Sequence, residues 1–312
     1  MSDRLDISVI IACYKVPGYI TRAVESVLAQ KGVTFEIVLV DDCSPDNTWE
    51  VIETITNPRL HAMRMEQNSG PSVARNRAIA AARGEWLAVL DGDDIMFPGR
   101  LKRMLELGRA KQADIVVDNQ LVMKEVDGGT SLMFPDLAAL TEMSAADFIK
   151  GNDDYIGPVW GYGYMKPLFR ADFLREHGLA YRETISIGED FILMLEALAS
   201  GARCVVDVEA GYGYTVRADS ISSKLTPEAV ARIQKEDAWF FDKYKLDSKS
   251  LAAQRVRARN LVEAYQFNRL VGAIKGRNVV EALKVSVTSP RVLRHLMVPV
   301  GMRVARAYRF LF

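Results

Sequence analysis

The chain has 312 residues, 49% of them hydrophobic and 26% charged, and its 40 basic and 40 acidic side chains cancel. This is the composition of an ordinary soluble globular protein, long enough for one large α/β domain with additions, and its charge balance gives no pointer to nucleic acid, which is not expected as a partner. The three cysteines, Cys13, Cys43 and Cys204, form neither a disulfide framework nor a zinc spacing and read as reduced thiols.

Ile7–Ala12 is a short apolar run rich in β-branched residues and predicts a buried strand. Ile20, Ala23, Val24, Val27 and Leu28 recur at helical spacing, so a helix follows. Glu36–Asp41 predicts the second strand. Asp42–Asn47 is a loop by composition, and a short helix over Trp49–Ile55 comes next. Asn68–Pro71 is a turn, with Ser72 positioned to cap a helix over Val73–Arg83 that Gly84 ends. Trp86–Leu90 is another apolar strand, followed by a helix opened at Pro98. Asp114–Asp118 reads as a strand. Residues 119–188 are less regular, with a short helix capped by Ser144. Glu189–Ser200 predicts a helix ended by Gly201, and Arg203–Asp207 a strand. From Thr226 onward the pattern is nearly all helical.

Strands alternating with helices at these spacings predict an α/β fold with a mostly parallel sheet. Ligands bind such sheets outside the carboxyl ends of the strands. Ala12–Tyr14, Asp41–Asp46 and Asp91–Asp94 all fall at such ends. The last group places three carboxylates within four residues directly after an apolar strand. That much charge at a strand exit is costly unless a cation shares it. Hard divalent ions prefer carboxylate oxygens and commonly bring a phosphate with them. The cluster therefore points to a metal-diphosphate site.

Four motifs occur in order: Ile7–Tyr14, Val40–Asp46, Gly70–Asn76 and Asp91–Asp94. Together they resemble the family 2 inverting glycosyltransferases, with a narrower likeness to bacterial exopolysaccharide enzymes of the succinoglycan type. The resemblance implies the GT-A fold, a Rossmann-like sheet flanked by helices, over residues 1–225. Residues 1–118 would form the nucleotide-binding half and 119–225 the acceptor-binding half, with 226–312 a helical extension. Two departures stand out: Ala12-Cys13-Tyr14-Lys15 replaces the common Pro-Thr-Tyr-Asn, and Cys43 replaces a usual glycine.

The resemblance also implies roles. Asp93 would ligate Mn²⁺ or Mg²⁺ on the diphosphate of a UDP-sugar donor, and Asp91 would contact ribose or metal. Asp42 would accept a hydrogen bond from uracil, since a carboxylate accepts without donating; a turn-stabilising role suits Asp46 better. Ala12 and Tyr14 would line the base site. Arg75 would approach the nucleotide or pair with Asp42. In Gly188-Glu189-Asp190, Asp190 would be the general base and Glu189 would bind acceptor; two acids at a helix start also suit the helix dipole. Trp160 is the candidate platform for the acceptor sugar. Tyr212–Arg217 resembles a closing segment, with Arg217 aimed at phosphate. The acceptor would be a saccharide or a lipid-linked oligosaccharide.

Beyond Glu281 the chain holds no acid, but carries Lys284, Arg291, Arg294, Arg303, Arg306 and Arg309 among aliphatic and aromatic residues. This composition suits a basic amphipathic segment on an anionic membrane surface. No stretch offers the roughly 18 consecutive apolar residues of a spanning helix, and Met1–Asp6 is no signal peptide. A cytoplasmic location, peripheral on the inner face of the cell membrane, is the expectation. Two rival readings are a nucleotidyltransferase, which would normally carry a glycine-rich loop after the first strand, and a non-catalytic scaffold of a polysaccharide assembly complex.

Overall fold

A computed structural model describes residues 5–124, 129–152, 160–185, 187–216 and 226–296. The chain divides into two compact units, Met1–Phe148 with Tyr162–Ser220 and Ile149–Gly161 with Ile221–Phe312.

In the first unit the strands β1 (Ile7–Cys13), β2 (Phe35–Asp41), β3 (Leu60–Arg64), β4 (Trp86–Asp91), β5 (Ile95–Met96), β6 (Ile115–Lys124), β7 (Thr130–Leu132), β8 (Leu168–Arg170) and β9 (Cys204–Val216) form one sheet. Its order is β3-β2-β1-β4-β8-β6-β9-β5, with β7 paired to β6. The first half is the expected parallel ladder: β1 pairs in parallel with β2 and β4, and β2 with β3. The second half is mixed. The three-residue β8 runs antiparallel to both β4 and β6, β5 and β7 are antiparallel edges, and only β6–β9 is parallel. β8 is too short to show a period, so the sequence carried no sign of this reversal.

Every residue of β2 is buried, and all but one of β1. Helices cover such strands on both faces, which is why they read as continuous apolar runs. The helix α1 (Ile20–Leu28) lays Ile20, Ala23, Val24 and Val27 onto the sheet, joining a core with Ile7, Val9, Ile11, Ile37, Leu39, Trp86 and Leu90. Each fully buried aliphatic side chain there contributes about 1.5–3 kcal/mol of transfer free energy. The other helices of this unit are α2 (Thr48–Glu53), α3 (Pro71–Ala81), α4 (Arg100–Lys111), α5 (Ala145–Lys150), which crosses the boundary between the units, α6 (Ala171–Glu176) and α7 (Glu189–Ala199).

Ser144 caps α5 through a reciprocal pair with Asp147: its hydroxyl accepts from the Asp147 amide and its own amide donates to the Asp147 carboxylate. Ser72, in contrast, is not the cap of α3. Gly70 takes that place with φ +92°, Pro71 begins the helix, and the buried Ser72 hydroxyl donates to the Ile185 carbonyl at 3.0 Å. Only glycine enters that left-handed backbone region without strain.

The second unit contains the helices α8 (Pro227–Lys243), α9 (Ser248–Lys275) and α10 (Val279–Thr288). Thr226 caps α8 by accepting from the Ala229 amide, with Pro227 at the first helical position, and Asp247 caps α9. α9 and α10 share a small core of Phe267, Leu270 and Val285, joined by Val292 in the turn of helix that follows α10. Among the described residues no helix is long and apolar enough to cross a membrane.

Candidate active site

Register fixes the frame of the site. Ala12 lies opposite Asp91 across β1 and β4, and Cys13 opposite Asp41 across β1 and β2. The carboxyl ends of three parallel strands therefore stand abreast. Gly92 lets the chain turn there, because a Cβ on it would come within 2.7 Å of Cys13 Cβ.

Five charged side chains interlock at this edge. Arg75, on α3, donates through Nη2 to Asp91 Oδ1 at 2.7 Å and through Nη1 to Glu189 Oε1 at 2.8 Å, with Asp190 Oδ1 at 3.5 Å. Lys166 donates to Asp91 Oδ2 at 2.8 Å and to Asp190 Oδ2 at 2.7 Å. Only 4% of the Lys166 side chain is exposed. Burial opposes charge on Lys166 and Arg75, but the surrounding carboxylates, Asp190 and Asp91 foremost, outweigh it and hold both cations well above their ordinary values. Burial works against ionised Asp91 too; Lys166 and Arg75 overcome it and hold this carboxyl well below the usual range. Glu189 goes the other way: burial and neighbouring Asp190 raise it despite Arg75. The Arg75 guanidinium also sits over the Tyr181 ring, 5.2 Å from its centroid.

The other members of the acidic triplet face elsewhere. Asp94 is buried; its Oδ2 accepts from the Tyr212 hydroxyl at 2.7 Å and its Oδ1 from the Thr215 amide at 2.7 Å. The same Tyr212 oxygen accepts from the Asp91 amide at 3.1 Å. Asp94 thus pins the turn after β4 to β9, and burial with Asp93 and Asp91 close by raises its carboxyl well above the ordinary value. Asp93 is half-buried, and its carbonyl accepts from Arg22, which also reaches Thr215.

Asp42 does not pair with Arg75. Its two oxygens accept from the Ser69 and Gly70 amides, each at 2.8 Å, which ties the Asn68–Pro71 turn to the end of β2. Burial raises the Asp42 carboxyl even though these amides favour its ionised form. Arg75 instead spends its guanidinium on Asp91 and Glu189 because three acids converge on it. Asp46 accepts from both the amide and the hydroxyl of Thr48, as a turn-stabilising aspartate does. Tyr14 is half-buried beside Lys15, whose ammonium lies 5.2 Å from the Tyr14 ring centroid. Trp160 belongs to the second unit and is half-buried. Tyr212–Val216 is the end of β9 rather than a separate closing segment, and Arg217 lies outside the described residues.

The profile of Glycosyl transferase family 2 matches residues 8–169. This chain belongs to that family. It is similar to the succinoglycan biosynthesis protein ExoO of Rhizobium meliloti (strain 1021), 42% identical over 98% of this chain and 88% of the relative. ExoU of the same organism is 32% identical over 92% of this chain and 84% of its own length. Among solved structures, S. aureus TarS in complex with UDP superposes with a TM-score of 0.65 over 92% of each chain at 20% identity, a likeness of GT-A fold.

For a family 2 glycosyltransferase, the side chain that sequence reasoning missed is Lys166. It stands in Met165-Lys166-Pro167, just before β8, in a stretch without periodicity. Its only signal was a lysine next to an apolar strand, which is usually a surface residue. Among the described residues no group of three or more His, Cys, Asp or Glu side chains is arranged to enclose a metal ion. Asp91 and Asp94 each have both oxygens engaged. A hard dication bound to a diphosphate needs only one or two protein carboxylates, and Asp93 is the remaining, half-buried carboxylate of the acidic triplet.

Proposed function

We propose that this glycosyltransferase moves a hexose, with glucose the first to test, from a UDP-sugar to a saccharide acceptor in exopolysaccharide assembly, with inversion at the anomeric carbon. The observation that carries the reading is the shared edge of Asp42, just after β2, Asp91 at the end of β4 and Asp190 on α7. UDP in the TarS structure and the succinoglycan names of ExoO and ExoU support the donor and the pathway class.

In this reading Asp42 uses its remaining lone pairs to accept the uracil N–H, beside Ala12 and Tyr14. Asp91, fixed by Arg75 and Lys166, meets the ribose. Asp93 holds Mn²⁺ or Mg²⁺, which when bound supplies positive charge to the departing diphosphate. Asp190 takes the proton of the acceptor hydroxyl as its oxygen bonds to the anomeric carbon. The bond from that carbon to the diphosphate breaks on the opposite face, and its electron pair leaves with UDP. Oδ1 of Asp190 suits the transfer, since its contact with Arg75 is the longer one. Glu189 orients Arg75 and borders the acceptor. Arg217 would reach phosphate. The acceptor is a lipid-linked oligosaccharide, approached at an anionic membrane surface through the basic segment beyond Glu281.

The test is UDP release with purified glycolipid acceptors across a panel of UDP-hexoses. Asp93→Ala and Asp190→Asn should each abolish transfer with circular dichroism unchanged. Wild-type transfer by both variants with every competent donor refutes the assignment.

A further inference from the structure

The outer face of α10 is apolar where a solvated helix is normally polar. Val279, Val280, Leu283 and Val287 are 67%, 79%, 61% and 78% exposed. The inner face is already satisfied: Val285 is fully buried in the core shared with α9, with Ala282 packed against it. α10 therefore spends one apolar face on folding and retains a second. Val280, Leu283 and Val287, with Lys284, stand at i, i+3, i+7 and i+4, one continuous stripe.

The unpaired charge on this part of the chain is basic. Lys275, Arg277, Lys284 and Arg291 are exposed and have no ion pair among the described residues. The acid within α10, Glu281, is half-buried and bonded to Arg269. Exposed aliphatics flanked by uncompensated cations fit an anionic lipid surface, where acyl chains take the stripe and headgroup phosphates take the cations. A protein partner for so basic a rim would need a matching acidic patch, and a second copy of this chain would bring its own cations face to face.

We propose that α10 is a membrane-docking helix, lying in the plane of an anionic bilayer with Val280, Leu283 and Val287 inserted and Lys275, Arg277, Lys284 and Arg291 at the headgroups. This rests on the membrane reading above and deepens it, because it assigns insertion to the outer face of α10.

The experiment is cosedimentation of the full chain with vesicles of phosphatidylcholine alone or mixed with phosphatidylglycerol. The wild type should bind the mixed vesicles, lose binding in high salt and ignore the neutral ones. The triple variant Val280→Ser, Leu283→Ser, Val287→Ser should bind at least tenfold more weakly. Its thermal midpoint should not fall, since these side chains face solvent. The same substitutions should lower binding in a chain ending at residue 296. A triple variant that binds like the wild type, while removal of residues 297–312 abolishes binding, overturns the α10 assignment and leaves the tail reading standing. A wild type that ignores anionic vesicles overturns both, and UDP release still judges the enzyme reading separately. A wild-type dimer in light scattering that the triple variant dissolves, without vesicle binding, assigns the stripe to a second copy and also overturns the proposal.

Discussion

Lys166→Met tests the charge lattice most directly. Methionine keeps the length and most of the volume of the side chain and removes its charge. The wild-type ammonium makes two charge-assisted bonds, 2.8 Å to Asp91 and 2.7 Å to Asp190. Removing one partner from a buried ion pair costs about 3–5 kcal/mol, because the stranded charge remains. The two carboxylates keep some access to water, 22% and 15% exposed, so the lower end, about 3 kcal/mol, is expected. Domains of this kind have only about 5–15 kcal/mol to lose. Urea unfolding followed by tryptophan fluorescence, to which buried Trp86 contributes, measures the difference. Its pH dependence has a definite sign. Asp91 is held low, so its contribution is present above the unfolded value of about 3.9 and disappears as pH falls through the depressed folded value. Lys166 is held high, so its contribution is complete below about 10.4 and disappears as pH rises through the elevated folded value. The gap between wild type and variant should therefore be broad across neutral pH and close at both extremes. A loss below about 1 kcal/mol, the worth of an exposed pair, would refute the reasoning.

Three further outcomes are expected. Tyr212→Phe should lose about 1–3 kcal/mol in the same titration, because it strands the buried Asp91 amide and Asp94 carboxyl that one hydroxyl now serves. Burial raises Asp42, so its hydrogen-bond-accepting form should be lost earlier on acidification than an ordinary carboxylate's. UDP affinity measured by calorimetry should fall accordingly, and the part of that fall due to Asp42 should vanish in Asp42→Asn, a comparison that cancels the titration of UDP itself; parallel profiles for the two proteins would remove Asp42 from the base site. Chelating divalent cations should weaken UDP binding to the wild type at least tenfold and leave Asp93→Ala nearly unaffected, whereas equal affinity with and without chelator would dismiss the proposed ion.

The parts of the site carried by regular elements were legible beforehand. Ile7–Ala12 and Glu36–Asp41 are unbroken apolar runs, so their ends could be located to within a residue or so. Asp91 follows Trp86–Leu90 without interruption, and Glu189 opens a strongly apolar helix directly after a glycine. What could not be read was pairing across the chain. Arg75 could be read as a partner of Asp42, but in the fold Asp91, Glu189 and Asp190 converge on it while the Ser69 and Gly70 amides bond Asp42. Asp94 resembles its neighbours in sequence; β9 distinguishes it by bringing Tyr212 and Thr215 to its two oxygens. Lys166 becomes visible only when Asp91 and Asp190 are seen to share it. Polar partners remote along the chain leave no periodic trace, whereas burial does.

The same lattice supplies the physical case for the proposed ion. Arg75 and Lys166 face Asp91, Glu189 and Asp190, so with all five ionised two cations meet three carboxylates and one negative charge is left over. Burial and neighbouring Asp190 raise the Glu189 carboxyl, whereas Lys166 and Arg75 overcome burial and lower Asp91. Both cations already bond carboxylates, Arg75 through Nη1 and Nη2 and Lys166 through Nζ, while Arg75 Nε is buried without a partner. A diphosphate entering at Asp91–Asp94 would therefore meet carboxylates and find neither cation free to receive it. Diverting Arg75 or Lys166 to the phosphates would strand buried acids at a cost of several kcal/mol. In the proposed reading a dication held by Asp93 would supply the neutralising charge, and Asp91 and Asp190 would keep their bonds to Arg75 and Lys166.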